Sequence, residues 1–281
     1  MRRFRIVHFS DLHAGEFPFS HSGWLDKRLL GRANFLLFRR RQVRLPRITQ
    51  AAELFASLQP DLVLCTGDLT CVSDPGEFAR AEQMLAPLLE WAGDKFFYVP
   101  GNHDAYVRNE QCRRALAETF YRLNGKRFEL PELPQAVPLD GVEMLLLNSA
   151  EPRSWLSSGG SFAPAAQQRL EELLAQPCRG VRLLVNHFPV QTADGGELPW
   201  RRRMDGAGIL RQWQAAGRFA ALFCGHIHRP FLADTAVGLQ VCAGSLSIHG
   251  SYSVSDINLS GQANATTATA KELINATISG L

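Results

Sequence analysis

Seven residues whose side chains can bind metal ions follow five short apolar runs along the chain. They are Asp11, His13, Asp68, Asn102, His187, His226 and His228. Carboxylate, amide and imidazole groups without a thiolate suit manganese, iron, zinc, cobalt or nickel, and they exclude an iron–sulfur cluster. Seven ligands are too many for one ion. If one carboxylate binds two ions at once, the seven residues supply roughly four protein contacts to each ion. Two such ions can hold the attacking and leaving oxygens of a phosphoryl displacement.

The apolar runs are predicted to be buried strands that carry these residues at their carboxyl ends. The runs are Phe4–Phe9, Asp61–Cys65, Phe96–Val99, Val181–Val185 and Phe219–Cys224, and Met144–Leu147 and Leu239–Ala243 add two further strands. Helical patterns lie between them, over Ile48–Gln59, Glu77–Trp91, Glu110–Leu123 and Ala165–Gln176. The alternation of strands and helices predicts an α/β protein. In such sheets, ligands gather at the carboxyl ends of the strands.

The same residues form a set of ordered motifs. They are Asp11-x-His13, Gly67-Asp68, Gly101-Asn102-His103-Asp104, His187 and Gly225-His226-x-His228. In this order, each after a strand, they resemble the calcineurin-like metallophosphoesterase family over nearly the whole chain. The resemblance implies an α/β (α+β) fold, a four-layer α/β/β/α sandwich with two central mixed sheets. It also implies a metal site at the carboxyl ends of the strands.

The resemblance further implies a role for each matching residue. Asp11, His13 and His228 are expected to bind one ion, Asn102, His187 and His226 the other, and Asp68 both. The two ions are divalent and are expected to be manganese, iron or zinc. The implied nucleophile is a hydroxide held between them, because metal binding lowers the pKa of water to about 7. His103 is expected to protonate the leaving oxygen and Asp104 to hold the His103 ring, although an Asp here can equally cap a turn.

Composition narrows the class of protein. The chain has 281 residues, of which 46% are hydrophobic and 20% charged, with a net charge of +3. These values exclude a collagen, a disordered tail protein and a small disulfide scaffold. The six cysteines form no CxxC pair. Three of them, Cys65, Cys224 and Cys242, lie in apolar runs, which predicts a reducing compartment and a cytoplasmic location. The chain also lacks an apolar run of the roughly 18 residues that a transmembrane helix needs.

A basic and apolar insertion at about 20–47 follows the first motif, and three interpretations of it stay open. It can be a helical hairpin with solvated arginines, a lip for an anionic membrane or an acylated substrate, or a nucleic-acid contact. Its mixture of Leu and Phe with Arg favours a peripheral membrane contact through residues 24–47 over nucleic acid. The Arg201-Arg202-Arg203 triplet is either a further anion-binding surface or an exposed turn.

We expect one metallophosphoesterase domain over residues 1–258 and a peripheral tail over 259–281, with a short helix at Ala268–Ile278. The predicted function is hydrolysis of an anionic phosphodiester or pyrophosphate substrate rather than a monoester. The alternatives are a UDP-2,3-diacylglucosamine pyrophosphohydrolase acting at the membrane surface, a metal-dependent nuclease and a scaffold without activity. The modest charge argues against the nuclease, and the complete ligand set argues against the scaffold.

Overall fold

The computed structural model describes residues 3–15, 27–39, 41–178, 180–259 and 274–281. Five strands form the first sheet: β1 (Arg3–Phe9), β2 (Leu62–Cys65), β3 (Phe96–Tyr98), β10 (Ser251–Asn258) and β11 (Ile274–Gly280). Their order is β11-β10-β1-β2-β3. β1, β2 and β3 are parallel, whereas β10 runs antiparallel to both β1 and β11. The sheet is therefore mixed, with its parallel part next to the first three motifs.

Six strands form the second sheet. They are β4 (Gln135–Leu139), β5 (Val142–Leu146), β6 (Val181–Val185), β7 (Ala221–Cys224), β8 (Phe231–Thr235) and β9 (Gly238–Cys242). Their order is β4-β5-β6-β7-β9-β8, in which β5, β6, β7 and β9 are parallel. β4 and β8 are antiparallel edge strands. The predicted strands correspond to β1, β2, β3, β5, β6, β7 and β9.

Helices cover the outer face of each sheet. They are α2 (Pro46–Ser57), α3 (Pro75–Ala92), α4 (Glu110–Leu123), α5 (Pro164–Ala175), α6 (Ala207–Ala215) and the short α7 (Leu246–His249). A further helix, α1 (Lys27–Asn34), begins beside the loops at the strand ends. Because successive strand side chains point to opposite faces, Ile6 of β1 packs between the sheets while Val7 packs against α2, α3 and α4. α5 and α6 pack on the second sheet. The layers are thus α/β/β/α, and the predicted sandwich is confirmed.

The insertion contains α1 and a π-helical turn over Phe35–Arg39, and its residues 20–26 lie outside the described residues. Two of its arginines are buried. Arg32 donates to Asp74 at 3.0 Å, and Arg28 lies 3.9 Å from the same carboxylate, which caps the start of α3. These two side chains are therefore not available to a membrane or a nucleic acid. No helix in the described part of the chain is both long and apolar enough to cross a membrane.

The end of the chain differs from the prediction. Residues 274–280, the described part of the expected tail, form β11 and pair with β10 along its length, so the short helix predicted at Ala268–Ile278 is wrong there. Residues 268–273 lie outside the described residues. Ile274 is buried between the sheets, so this segment is an edge strand of the sandwich and not a peripheral tail. A Ser-, Thr- and Asn-rich strand lacks the apolar run from which the other strands were predicted.

Candidate metal centre and active-site cleft

The seven candidate ligands lie where strands of the two sheets end beside each other. β1 leads to Asp11 and His13, β2 to Asp68, β3 to Asn102, β6 to His187, and β7 to His226 and His228. Backbone hydrogen bonds join neighbouring loops, such as Asp11 N–H to the Gly67 carbonyl at 2.9 Å. The backbone N–H of His226 donates to Asp11 Oδ2 at 3.0 Å and connects the two sheets. The structure thus brings together all seven residues predicted from the sequence.

Five of these residues have a left-handed backbone. The φ angles are 57° at Asp11, 47° at His13, 55° at Asp68, 75° at His226 and 60° at His228. A non-glycine residue in this region costs on the order of 1 kcal/mol or more, and such residues concentrate at functional sites. The loops therefore hold the side chains at an energetic cost that the surrounding structure offsets.

One group of ligand atoms comes from Asp11, His13, Asp68 and His228, and these atoms all lie within 4.8 Å of one another. Nε2 of His13 and Nε2 of His228 are 2.9 Å apart. Oδ1 of Asp11 lies 3.3 Å from the His228 nitrogen and 3.8 Å from that of His13. Three of the four residues are fully buried. This is the set that the resemblance assigns to the first ion.

A second group adjoins it through Asp68. Oδ2 of Asp68 is 4.0 Å from Nε2 of His13 in the first group and 3.5 Å from Nε2 of His187 in the second. Oδ1 of Asn102 lies 3.3 Å from that His187 nitrogen and 2.9 Å from Nδ1 of His226. Asp68 is thus the residue common to both groups. A carboxylate that binds two ions at once would lie between the two groups in this way.

Two buried carboxylate oxygens in this cluster are orphaned. Oδ1 of Asp11 and Oδ2 of Asp68 accept no hydrogen bond from any described residue. The other oxygen of each carboxylate is used, because Asp11 Oδ2 accepts from His226 and Asp68 Oδ1 from the His103 backbone at 2.8 Å. An unpaired buried carboxylate oxygen is costly. Two of them facing imidazole nitrogens fit a site for divalent cations.

Backbone carbonyls set the tautomers of three histidines. Nδ1–H of His13 donates to the Thr70 carbonyl at 3.2 Å, and Nδ1–H of His187 donates to the Thr66 carbonyl. His226 is reversed: its Nε2–H donates to the Arg202 carbonyl at 3.1 Å. A carbonyl only accepts, so in the neutral form of each ring the remaining nitrogen carries the lone pair, and this nitrogen points into the cluster. Such partners commonly orient metal-binding histidines.

Electrostatics keep both carboxylates ionised. Burial alone would raise the pKa of Asp68, but the charges of His187, His103 and His13 outweigh burial and hold this pKa well below its usual value. The same balance, with His228 as the main partner, lowers the pKa of Asp11. Conversely, burial would lower the pKa of His187, but Asp68 and Asp11 raise it to about 9. The cluster thus offers two anionic groups at neutral pH, the form that binds a cation.

His103 lies at the edge of the cluster, and its ring is held differently from the prediction. Its Nδ1–H donates to the Cys71 carbonyl at 2.6 Å, and Tyr106 stacks on the ring with centroids 5.4 Å apart. Asp104 does not hold the ring. Its oxygens accept from Thr70 N–H, Gly101 N–H and the Tyr98 hydroxyl, so this carboxylate shapes the loop, as the alternative of a turn cap suggested.

Two connected cavities open above the ligands. The first, the ligand pocket, has about 120 Å³ and is lined by Asp68, Asn102, His103, Ser158, Arg202, His226, Ile227 and His228. The second, the side cleft, has about 250 Å³ and shares Asn102, His103, Ser158 and Arg202 with the first. Lys27, Tyr106 and Arg153 also line the side cleft. The sequence motifs identified none of these three. Only the position of Tyr106, three residues after His103, could have pointed to one of them.

A four-layer sandwich with carboxylate and imidazole ligands at its strand ends defines a class of metal-dependent hydrolases of phosphate esters. The family model described as calcineurin-like phosphoesterase matches residues 4–230, most of the chain. The chain belongs to this family, and the resemblance drawn from the motifs is confirmed.

Individual relatives agree with this assignment. A cAMP/cGMP dual specificity phosphodiesterase of Mycobacterium tuberculosis is 25% identical over 206 residues, which are 69% of this chain and 56% of that protein. The match thus spans little more than half of that relative. A dimetal phosphatase from Danio rerio has a TM-score of 0.61 at 16% identity, covering 90% of this chain and 92% of that one. A purple acid phosphatase from yellow lupin seeds has a TM-score of 0.56 at 12% identity, covering 99% and 54%. These two structures establish the fold alone.

Proposed function

We propose that the chain is a dinuclear metal-dependent phosphoesterase that hydrolyses a phosphodiester or pyrophosphate bond. The observation that carries the proposal is the pair of orphaned carboxylate oxygens, Asp11 Oδ1 and Asp68 Oδ2, in a ring of imidazole nitrogens. Asp11, His13 and His228 would hold one divalent ion, Asn102, His187 and His226 the other, and Asp68 both. Manganese, iron or zinc bound there would supply charge stabilisation at the phosphoryl group and a water of lowered pKa.

The chain's own residues supply orientation and proton transfer. With Nδ1–H of His103 donating to the Cys71 carbonyl, Nε2 is the nitrogen that can hold a proton towards the ligand pocket. A protonated Nε2 would donate to the leaving oxygen as the bond to phosphorus breaks. Arg202 lines the same pocket. A guanidinium turned into this pocket would bind phosphoryl oxygens. Asp104 acts indirectly, by shaping the loop that carries Asn102 and His103.

A diester or pyrophosphate fits the site better than a monoester. The ligand pocket continues into the larger side cleft, which provides space for a group attached beyond the scissile phosphate. The relative from Mycobacterium tuberculosis, a phosphodiesterase by name, supports the same choice.

The test compares bis-p-nitrophenyl phosphate with p-nitrophenyl phosphate on protein stripped of metal and reloaded with manganese. We expect reloading to restore turnover and the diester to be preferred.

His103→Ala should lower kcat by about 10²–10⁴-fold with its metal content unchanged, whereas Asp68→Ala should lose both ions. His249→Ala, which removes an exposed histidine outside the ligand set, is the control. Preference for the monoester, or two ions retained by Asp68→Ala, would contradict the proposal.

A second candidate is action at a membrane surface, on a lipid-linked pyrophosphate such as UDP-2,3-diacylglucosamine. The observation that favours it is a group of exposed apolar side chains: Trp155 (63% exposed) and Leu156 (66%) at the side cleft, and Trp200 (61%) beside Arg201. Aromatic and basic side chains together suit an anionic lipid surface. Co-sedimentation with phosphatidylglycerol vesicles but not with phosphatidylcholine vesicles is the expected result, and equal recovery with both would exclude this candidate.

A further inference from the structure

The side cleft is lined by more cationic than anionic side chains. Four cationic residues line it, Lys27, Arg153, Arg201 and Arg202, against one carboxylate, Glu151, among the described lining residues. Arg153 pairs with Glu151 at 2.7 Å, so these two charges offset each other. Three cationic residues, Lys27, Arg201 and Arg202, remain in the side cleft.

Lys27 is the most informative of the three. Its side chain is half-buried, Nζ lies 4.3 Å from the centroid of the Tyr106 ring, and Nζ–H donates to the Arg153 carbonyl at 3.3 Å. Within the described part of the chain, no carboxylate lies within ion-pairing distance of it. Burial without a counter-ion lowers its pKa. A partly desolvated ammonium group held by neutral partners has a donor left for an anionic ligand.

The arginine triplet divides between two environments. Arg203 pairs with Glu197 at 2.7 Å and lines a different cavity. Arg201 and Arg202 line the side cleft and have no ion-pair partner among the described residues. Arg202 also lines the ligand pocket, so it lies where the two cavities meet. Of the two interpretations drawn from the sequence, the anion-binding surface therefore fits Arg201 and Arg202, whereas Arg203 is an exposed residue with an ion-pair partner.

We propose that the side cleft binds a second anionic group of the substrate, a phosphate attached beyond the scissile diester or pyrophosphate. A phosphate carries more charge and more acceptor oxygens than a carboxylate, and so matches one ammonium and two guanidinium groups. The inference rests on the proposed function and narrows its substrate class. Diesters with a further phosphate are preferred over diesters whose remaining part is neutral.

The test uses two chromogenic diesters with the same scissile bond and leaving group. One is the p-nitrophenyl ester of thymidine 5′-phosphate, and the other carries an additional 3′-phosphate. We expect kcat/KM of the manganese-loaded protein to be higher for the 3′-phosphorylated ester by about tenfold or more, mainly through KM, because the second phosphate does not react. Lys27→Met and Arg201→Met should each reduce this ratio severalfold. Arg203→Met, the neighbouring arginine outside the side cleft, should leave it unchanged.

A binding measurement separates failure of this inference from failure of the proposed function. Calorimetry with thymidine 3′,5′-bisphosphate and thymidine 5′-phosphate needs no turnover. The bisphosphate should bind the wild-type protein about tenfold more tightly, and Lys27→Met should lose most of that advantage. Equal kcat/KM values on an active enzyme would overturn the side cleft proposal and leave the phosphoesterase intact. Absence of turnover with a retained binding preference would contradict the phosphoesterase instead. Equal binding of both nucleotides would overturn the inference in either case.

Discussion

Gly101 lies so close to the Asp68 carboxylate that a larger residue does not fit. A Cβ atom at this position would be 2.2 Å from Oδ1 of Asp68 and 2.6 Å from the Asp68 backbone nitrogen. Because one of these atoms is backbone, the clash cannot be relieved by a rotamer change. We therefore expect Gly101→Ala to displace Asp68 and to lose most of the bound manganese, measured as metal per chain after dialysis, with kcat reduced at least as far as in His103→Ala.

Gly208 is the matched control for this substitution. It lies in α6, and a Cβ atom there would meet nothing within 4 Å. Gly208→Ala should retain both ions and change the free energy of unfolding by less than about 1 kcal/mol, in the stabilising direction. Full metal content in Gly101→Ala would show that the loop can move away from Asp68.

At this same scale, the cluster of candidate ligands could be predicted from the sequence, but most of the groups that orient its side chains could not. Histidines and carboxylates after apolar runs are recognisable as residue types. Three candidate ligands are oriented by the backbone carbonyls of Thr66, Thr70 and Arg202. His103 is oriented in the same way by the carbonyl of Cys71. Since every residue has a carbonyl, such a partner leaves no trace in the sequence. The wrong assignment of Asp104 has this origin, because the His103 ring was given a side-chain partner where the structure has a carbonyl.

The first turn of helix α3 contains a buried carboxylate, Glu77, whose ionisation opposes folding. Oε2 of Glu77 accepts from the backbone N–H groups of Cys71 at 3.1 Å and Val72 at 2.9 Å, and burial raises its pKa from 4.5 to about 7. The folded state thus binds this proton more tightly than the unfolded state. The contribution of Glu77 to the free energy of unfolding is therefore fully present below pH 4.5, and it is lost as the pH rises through about 7.

Glu77→Gln removes this titration and keeps the shape of the side chain. Relative to the variant, the wild-type protein should lose about 3 kcal/mol of unfolding free energy between pH 4.5 and pH 8. Urea unfolding at four pH values measures the difference. Glu90→Gln, at an exposed position of the same helix, controls for the loss of one carboxylate. Parallel pH profiles for wild type and Glu77→Gln would contradict the expectation.

Among the elements, those with a strong local pattern could be predicted, and the strands that pair only in antiparallel fashion could not. Helices α2 to α5 agree with the predicted ranges to within about two residues at each end. β4, β8, β10 and β11 were missed. From Ser253 onwards β10 alternates buried and more exposed residues, and three of its buried positions are serines. Its pairing with β1 joins residues such as Arg3 and Asn258, at opposite ends of the chain. The formation of such strands depends on pairing with residues that are distant in the sequence more than on the composition of the strand itself.

At the scale of the whole molecule, the metal centre depends on the packing of the two sheets against each other. The candidate ligands of the first sheet face those of the second, and the His226 N–H to Asp11 contact crosses between the sheets. The residues that pack between the sheets come from the whole length of the chain, from Phe4 to Ile274. A substitution that destabilises this core is therefore expected to change the distances between the candidate ligands as well as to lower the free energy of unfolding.

Ile274 tests whether the last strand belongs to that cooperative core. It is 4% exposed and packs between the sheets, whereas Thr277 of the same strand is exposed. We expect Ile274→Ala to lower the free energy of unfolding by about 2–4 kcal/mol, because it leaves a cavity in a close-packed layer. Thr277→Ala, three residues along the same strand, should change it by less than about 0.5 kcal/mol. Urea unfolding followed by fluorescence measures both. If the two variants unfold at the same urea concentration, β11 opens before the rest of the protein and does not support the metal centre.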